Sequence, residues 1–108
     1  MSQQILQLNF NFNATADEYE NLVSPMAQDF SEVSGLQWKI WLMNKEKREA
    51  GGIYLFESEE AVENFKQTPL VAAVMSHPVL SNITVKQFDV LEKPSSVTNA
   101  PLTMAGVL

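Results

Sequence analysis

The chain contains no cysteine and a single histidine, His77. Disulfides, thiolate metal sites and cysteine nucleophiles are therefore excluded. One imidazole without a clustered carboxylate triad does not make a usual metal ligand set, so no metal site is expected. Basic residues are scarce: seven against thirteen acidic ones, for a net charge of −6. A nucleic-acid partner is disfavoured, because binding phosphates takes a basic face. Most of the acid lies on predicted helices (Asp17, Glu18, Glu20, Glu59, Glu60, Glu63), where it reads as a solvated surface. No apolar run is long enough to span a bilayer, and no membrane partner is expected. The opening MSQQILQLNF has no basic region followed by an apolar stretch, so no signal peptide is expected and the cytoplasm is the default location. No glycine-rich phosphate loop, dinucleotide fingerprint or nucleophile–base–orienter pattern occurs.

What is present fits one domain of 108 residues, with 45% hydrophobic and 19% charged residues. Leu6, Leu8, Phe10 and Phe12 alternate with Gln7, Asn9, Asn11 and Asn13, giving a strand with one apolar and one amide face. Amides are poor strand formers, so that face is either plain solvent surface or the wall of a polar cavity. Thr15 and Glu18 fit a capping box. Tyr19, Leu22, Val23, Met26, Ala27, Phe30 and Val33 then form a helical stripe, kinked at Pro25 and stopped at Gly35.

Residues 35–57 are the centre of the chain. Leu36 to Met43 is a strand carrying both tryptophans, and Gly51 to Phe56 is a strand apolar on both faces. On the first, Leu36, Trp38, Ile40 and Leu42 are expected toward the helices. Gln37, Lys39, Trp41 and Met43 are expected on the amide side, although one bulge would exchange Trp38 and Trp41. Ser58 caps a helix with Ala61, Val62 and Phe65 on its buried side. Thr68-Pro69 starts a short helix to about Ser76, His77-Pro78 ends it, and Ile83 to Leu91 is the last strand. Residues 1–94 form one α+β domain. Residues 95–108 show no regular period and read as an arm, in part packed on a partner subunit and in part disordered.

The order strand, helix, strand, strand, helix, strand gives a ferredoxin-like βαββαβ antiparallel sheet with helices on one face. The other face is left bare, with Trp41 and Met43 expected on it. A two-fold homodimer is the simplest cover, two sheets closing into a barrel-like body. A pocket then lies either between sheet and helices or within the barrel.

The stretches GLQWKIW and EAGGIYLF, the opening LQLNFNFN and the late FDV at Phe88–Val90 closely resemble the YdhR family of mono-oxygenases, of the dimeric α+β barrel superfamily. The resemblance covers roughly residues 5–102. It rests on Leu6, Leu8, Phe10, Phe12, Asn13, Trp38, Lys39, Trp41, Glu49, Ala50, Gly51, Gly52, Tyr54 and Phe56, and not on the segment 66–82 that holds His77. It implies a cofactor-independent mono-oxygenase acting on a small aromatic substrate, a quinol or phenol. The alternative is a non-catalytic small-ligand binding or stress-response protein on the same dimeric scaffold.

Oxygenation without a cofactor requires a water-poor pocket that favours the phenolate and steadies a peroxide. Lys39 and Tyr54 are the candidate catalytic residues. Asn9 and Asn11 are candidates for binding substrate oxygen atoms, with Trp38 and Trp41 shaping the cavity. Each also has a plainer reading. Tryptophans are more often core, a lysine more often snorkels, and Tyr54 could serve only a dimer hydrogen bond. His77 beside a proline is more often a helix-end residue than a base.

Overall fold

The computed structural model describes residues 3–102. Four antiparallel strands form one sheet: β1 (Gln4–Phe12), β2 (Leu36–Asn44), β3 (Glu49–Phe56) and β4 (Leu80–Asp89), in the spatial order β2-β3-β1-β4. Helices α1 (Ala16–Val23), α2 (Ala27–Ser31), α3 (Glu59–Lys66), α4 (Pro69–Met75) and α5 (Glu92–Val97) complete the described chain. This is the ferredoxin-like α+β sandwich expected from the order of elements.

The local signals act where they stand. Thr15 accepts from the Glu18 amide while the Glu18 carboxylate accepts from the Thr15 amide, closing the capping box of α1. Pro25 does more than kink the first helix. The chain passes through a 3-10 turn at Ser24–Met26 before α2 resumes, because proline has no N–H for the helical ladder. Ser58 and Thr68 cap α3 and α4 through their hydroxyls, and Pro69 opens α4. Gly35 sits at φ +82°, and a Cβ there would lie 2.5 Å from that of Ala61. The turn into β2 therefore needs glycine both for its backbone and for its packing on α3.

β1 alternates as its sequence does. Leu6, Leu8, Phe10 and Phe12 are buried beneath the helices, and Gln7, Asn9 and Asn11 look the other way. The helix side holds two packed groups. One comprises Leu6, Leu8, Phe30, Tyr54, Phe56, Ala61, Val62 and Phe65, and the other Phe10, Phe12, Tyr19 and Ala50.

β2 departs from the expected arrangement. Its pairing with β3 shifts between Leu36 and Trp38, so that Leu36 lies opposite Phe56 while Trp38 already lies opposite Leu55. This bulge at Gln37 reverses the alternation of everything that follows. Lys39, Trp41 and Met43, expected on the amide side, lie opposite Tyr54, Gly52 and Ala50 on the helix side. Trp38, Ile40 and Leu42, expected under the helices, share the open face with Asn9, Asn11 and Ile53. The apolar patch on the open face is thus built from Trp38, Ile40, Leu42 and Phe88, not from Trp41 and Met43.

The last strand begins and ends earlier than its sequence suggests. β4 stops at Asp89, and α5 forms at Glu92–Val97, with Pro94 tolerated in its first turn. Beyond it, the Trp38 indole N–H donates to the Pro101 carbonyl at 2.7 Å, so the chain after α5 returns to the open face at the β2 edge. The expected disorder of the last few residues lies outside the described residues. Among the described residues no helix is long and apolar enough to cross a membrane.

Candidate functional site

The seam between the two packed groups holds a cavity of about 60 Å³. It is walled by Phe10 and Tyr19 from one group, Phe30 and Tyr54 from the other, Lys39 and Trp41 from β2, and Met26, Val74 and His77 from the helical layer. Tyr19, Phe30 and Tyr54 are 4%, 3% and 2% exposed. Trp41 stands at the outer edge, 37% exposed. It also borders a wider open groove of about 400 Å³ that shares Tyr19 and Val23 with the cavity.

Lys39 is the unusual element. Its ammonium lies 3.5 Å from the ring centroid of Phe30, 3.3 Å from that of Trp41 and 4.6 Å from that of Tyr54. Gly52 makes room for this path. A Cβ at 52 would come 2.8 Å from Lys39 Cε and 3.2 Å from Tyr54 Cε1. The position opposite Trp41 must be bare for the lysine stem to lie across the strand. Among the described residues the ammonium has no carboxylate partner, and the one ion pair there joins Lys66 to Glu63 on the surface.

Two effects act on this amine in opposite directions. Loss of hydration penalises the charged form, whereas ring faces attract it. Aromatic faces return about 2 kcal/mol at a desolvated site, while removing an ammonium from water costs several kcal/mol. Desolvation wins, and the Lys39 amine is pulled down to a pKa of about 7. Both protonation states are then accessible near neutral pH.

The two tyrosines are pushed the other way by the same cause. Burial raises the Tyr19 phenol to about 12. The Tyr54 phenol rises as well, first through desolvation and then through its proximity to Tyr19. Both stay protonated, and among the described residues neither hydroxyl has a hydrogen-bond partner. His77 Nδ1 accepts the Val79 amide N–H at 3.2 Å. In the neutral ring the proton therefore sits on Nε2.

The residues singled out in the sequence divide between the two faces. Lys39, Tyr54 and Trp41 are brought together in the cavity. Asn9, Asn11 and Trp38 lie on the open face, separated from it by the sheet. Asn9 Oδ1 accepts from Gln7 Nε2 at 2.9 Å, and Asn11 Oδ1 accepts from Asn82 Nδ2 at 3.1 Å. Tyr19, Phe30 and His77 were not among the sequence candidates. Tyr19 and Phe30 were legible only as members of a helical core stripe. His77 carried no signal beyond being the one imidazole in the chain. Among the described residues no three His, Cys, Asp or Glu side chains converge as metal ligands.

A ferredoxin-like sheet with a lysine–aromatic cavity between sheet and helices defines the class. The chain matches the family model described as "Putative mono-oxygenase ydhR" over residues 5–101, and it belongs to that mono-oxygenase family. Comparison with curated proteins gave no significant match. Solved structures of like fold include a variant of SnoaB, a cofactor-independent oxygenase from Streptomyces nogalater (TM-score 0.69, 14% identity, 85% of this chain and 96% of that one). NE2512 from Nitrosomonas europaea, a protein of unknown function, gives a TM-score of 0.72 at 15% identity, covering 84% of this chain and 91% of that one. A "putative antibiotic biosynthesis monooxygenase" from Caulobacter crescentus gives 0.67 at 16% identity, with 84% and 92% covered. At these identities the likeness is one of fold.

Proposed function

We propose that the protein is a cofactor-independent mono-oxygenase of small phenolic or quinol substrates and that its chemistry is centred on Lys39. The carrying observation is an amine with no counter-ion among the described residues, enclosed by the rings of Phe30, Trp41 and Tyr54, with Tyr19 lining the same cavity. A group whose pKa lies near the working pH is suited to proton transfer. The neutral Lys39 amine takes the substrate's phenolic proton. The resulting ammonium then stays beside the phenolate in a medium of low polarity, where the attraction is strong.

The electron-rich ring reduces dioxygen by addition, forming a C–O bond and a peroxide. The Tyr54 hydroxyl, kept protonated by burial, donates a hydrogen bond to that peroxide. When the O–O bond breaks, one oxygen remains as a carbonyl on the substrate carbon. The other leaves as water, taking that carbon's one hydrogen and the phenolic proton that Lys39 had accepted. The substrate supplies all the electrons, so the cycle needs no external reductant.

A cavity of about 60 Å³ is smaller than the roughly 150 Å³ that accepts benzene. An aromatic substrate therefore enters by displacing Trp41, which joins the cavity to the groove beside α1. The same reading seats a second copy of the chain on the open face, where Ile40 and Phe88 are 50% and 48% exposed. Asn9, Asn11 and Trp38 would then belong to the barrel interior between the sheets.

The test is oxygen uptake by metal-stripped protein, with a panel of quinols, anthrones and hydroxylated aromatics. Turnover that falls by about two orders of magnitude in Lys39→Met supports the assignment, the scale of losing one preorganised electrostatic group. No uptake with any substrate, alongside saturable quenching of tryptophan fluorescence by the same compounds, identifies a ligand-binding protein instead.

A further inference from the structure

An amine half out of its charged state, walled by rings and sharing its cavity with two tyrosines, is also equipped for carbonyl chemistry. We propose that Lys39 is the nucleophile of a carbonyl-binding site, forming a reversible imine with a small aldehyde or ketone between Phe30, Trp41 and Tyr54. Three observations carry this. The amine lines the cavity, and no carboxylate among the described residues holds it as an ammonium. Tyr19, Tyr54 and His77, whose Nδ1 is occupied by Val79, line the same cavity and are side chains able to donate a proton. Finally, a volume of about 60 Å³ is roughly that of two waters in the liquid. A short aldehyde asks less of this space than an aromatic ring does.

The step is balanced and involves no oxidation or reduction. The Lys39 Nζ lone pair attacks the carbonyl carbon, and the oxygen takes a proton from the Tyr54 hydroxyl. The nitrogen returns a proton to Tyr54, leaving a neutral carbinolamine. Its C–O bond then breaks as the hydroxyl receives a proton and departs as water. The nitrogen lone pair forms C=N and the last N–H proton restores the donor. A desolvated lysine in an apolar pocket is a known way to activate this nucleophile, and the depressed pKa of Lys39 supports it.

The chain carries its own controls, since Lys45, Lys47, Lys66, Lys86 and Lys93 are all exposed. Full-length protein is treated under argon with limiting propanal and cyanoborohydride, and the propylated peptides are mapped over time. The proposal predicts labelling of Lys39 on the order of tenfold or more faster than any exposed lysine. It predicts a several-fold slower rate in Tyr54→Phe. In Gly52→Ala, where the new methyl displaces the lysine stem, labelling falls to the surface level. Equal labelling of all lysines overturns it, as does an untouched Lys39. A Lys39 rate unchanged in Tyr54→Phe also overturns it, since the amine would then be merely accessible. The reaction consumes no oxygen, so its failure leaves the oxygenase reading standing, and absent oxygen uptake leaves this one standing.

Discussion

The two faces of the sheet are built from the same strands and have opposite chemistry. The helix face buries Leu6, Phe56, Val62 and Phe65 almost completely and places one cation among rings at its centre. The open face pairs amides with each other and leaves Ile40 and Phe88 half exposed. The difference shows that a titratable group becomes reactive where its neighbours are apolar and its partners missing. Amides on the open face find one another, and little chemistry is left over. The lysine on the helix face finds no carboxylate partner among the described residues, and its proton becomes labile.

The largest expected contrast is in stability. Phe56→Ala removes a fully buried ring and should cost about 3–5 kcal/mol in urea unfolding. Ile40→Ala on the open face should cost less than about 1 kcal/mol in the monomer, and it should weaken self-association measured by sedimentation. Equal losses would erase the distinction between the faces.

Next comes the pH dependence tied to Lys39. Its folded pKa of about 7 lies below the ordinary lysine value of 10.5. Between these values the unfolded chain binds the extra proton, so stability should rise with pH across that window and be lowest below it. Lys39→Met removes the penalty. It should stabilise the protein at pH 6 by about 1–2 kcal/mol once the lost ring contacts are set against desolvation, and should flatten the slope. Thermal unfolding of both forms from pH 6 to 10 checks this.

The tyrosines give a spectroscopic counterpart. Tyr19 and Tyr54 are the only two in the chain, and both are raised by burial. Tyrosinate absorbance should remain low through pH 10 and appear only near pH 12 or on unfolding. Because these folded pKa values exceed the unfolded one, the tyrosines contribute stability that is present below pH 10 and lost above it. The smallest effect belongs to Trp38→Phe. It deletes one hydrogen bond to Pro101 and should cost about 0.5–1.5 kcal/mol while increasing protease cleavage after α5.

The fold was legible because local signals and global pattern agree. The alternation of β1, the Thr15–Glu18 box and the Thr68-Pro69 start each name their own structure. The site was half legible. Lys39, Tyr54 and Trp41 stood out as residue types, but the face they occupy depends on a single bulge at Gln37. Residues of both parities in β2 are apolar enough to be buried, so periodicity did not locate it. Enclosing a lysine ammonium among rings runs against its usual snorkelling, and the missing side chain at Gly52 makes room for the stem. His77 reached the cavity through tertiary packing of α4's end, which no local pattern encodes.

The most direct test places a probe on each face in one experiment. Under argon, a hydroxylated aromatic such as hydroquinone is titrated into protein whose Lys39 Cε and Trp38 and Trp41 indole N–H resonances are assigned. The account predicts that Lys39 and Trp41 shift saturably together while the Trp38 indole, bonded to Pro101, stays in place. A saturable shift at Trp38 with Lys39 unmoved would put the binding site on the open face and contradict it.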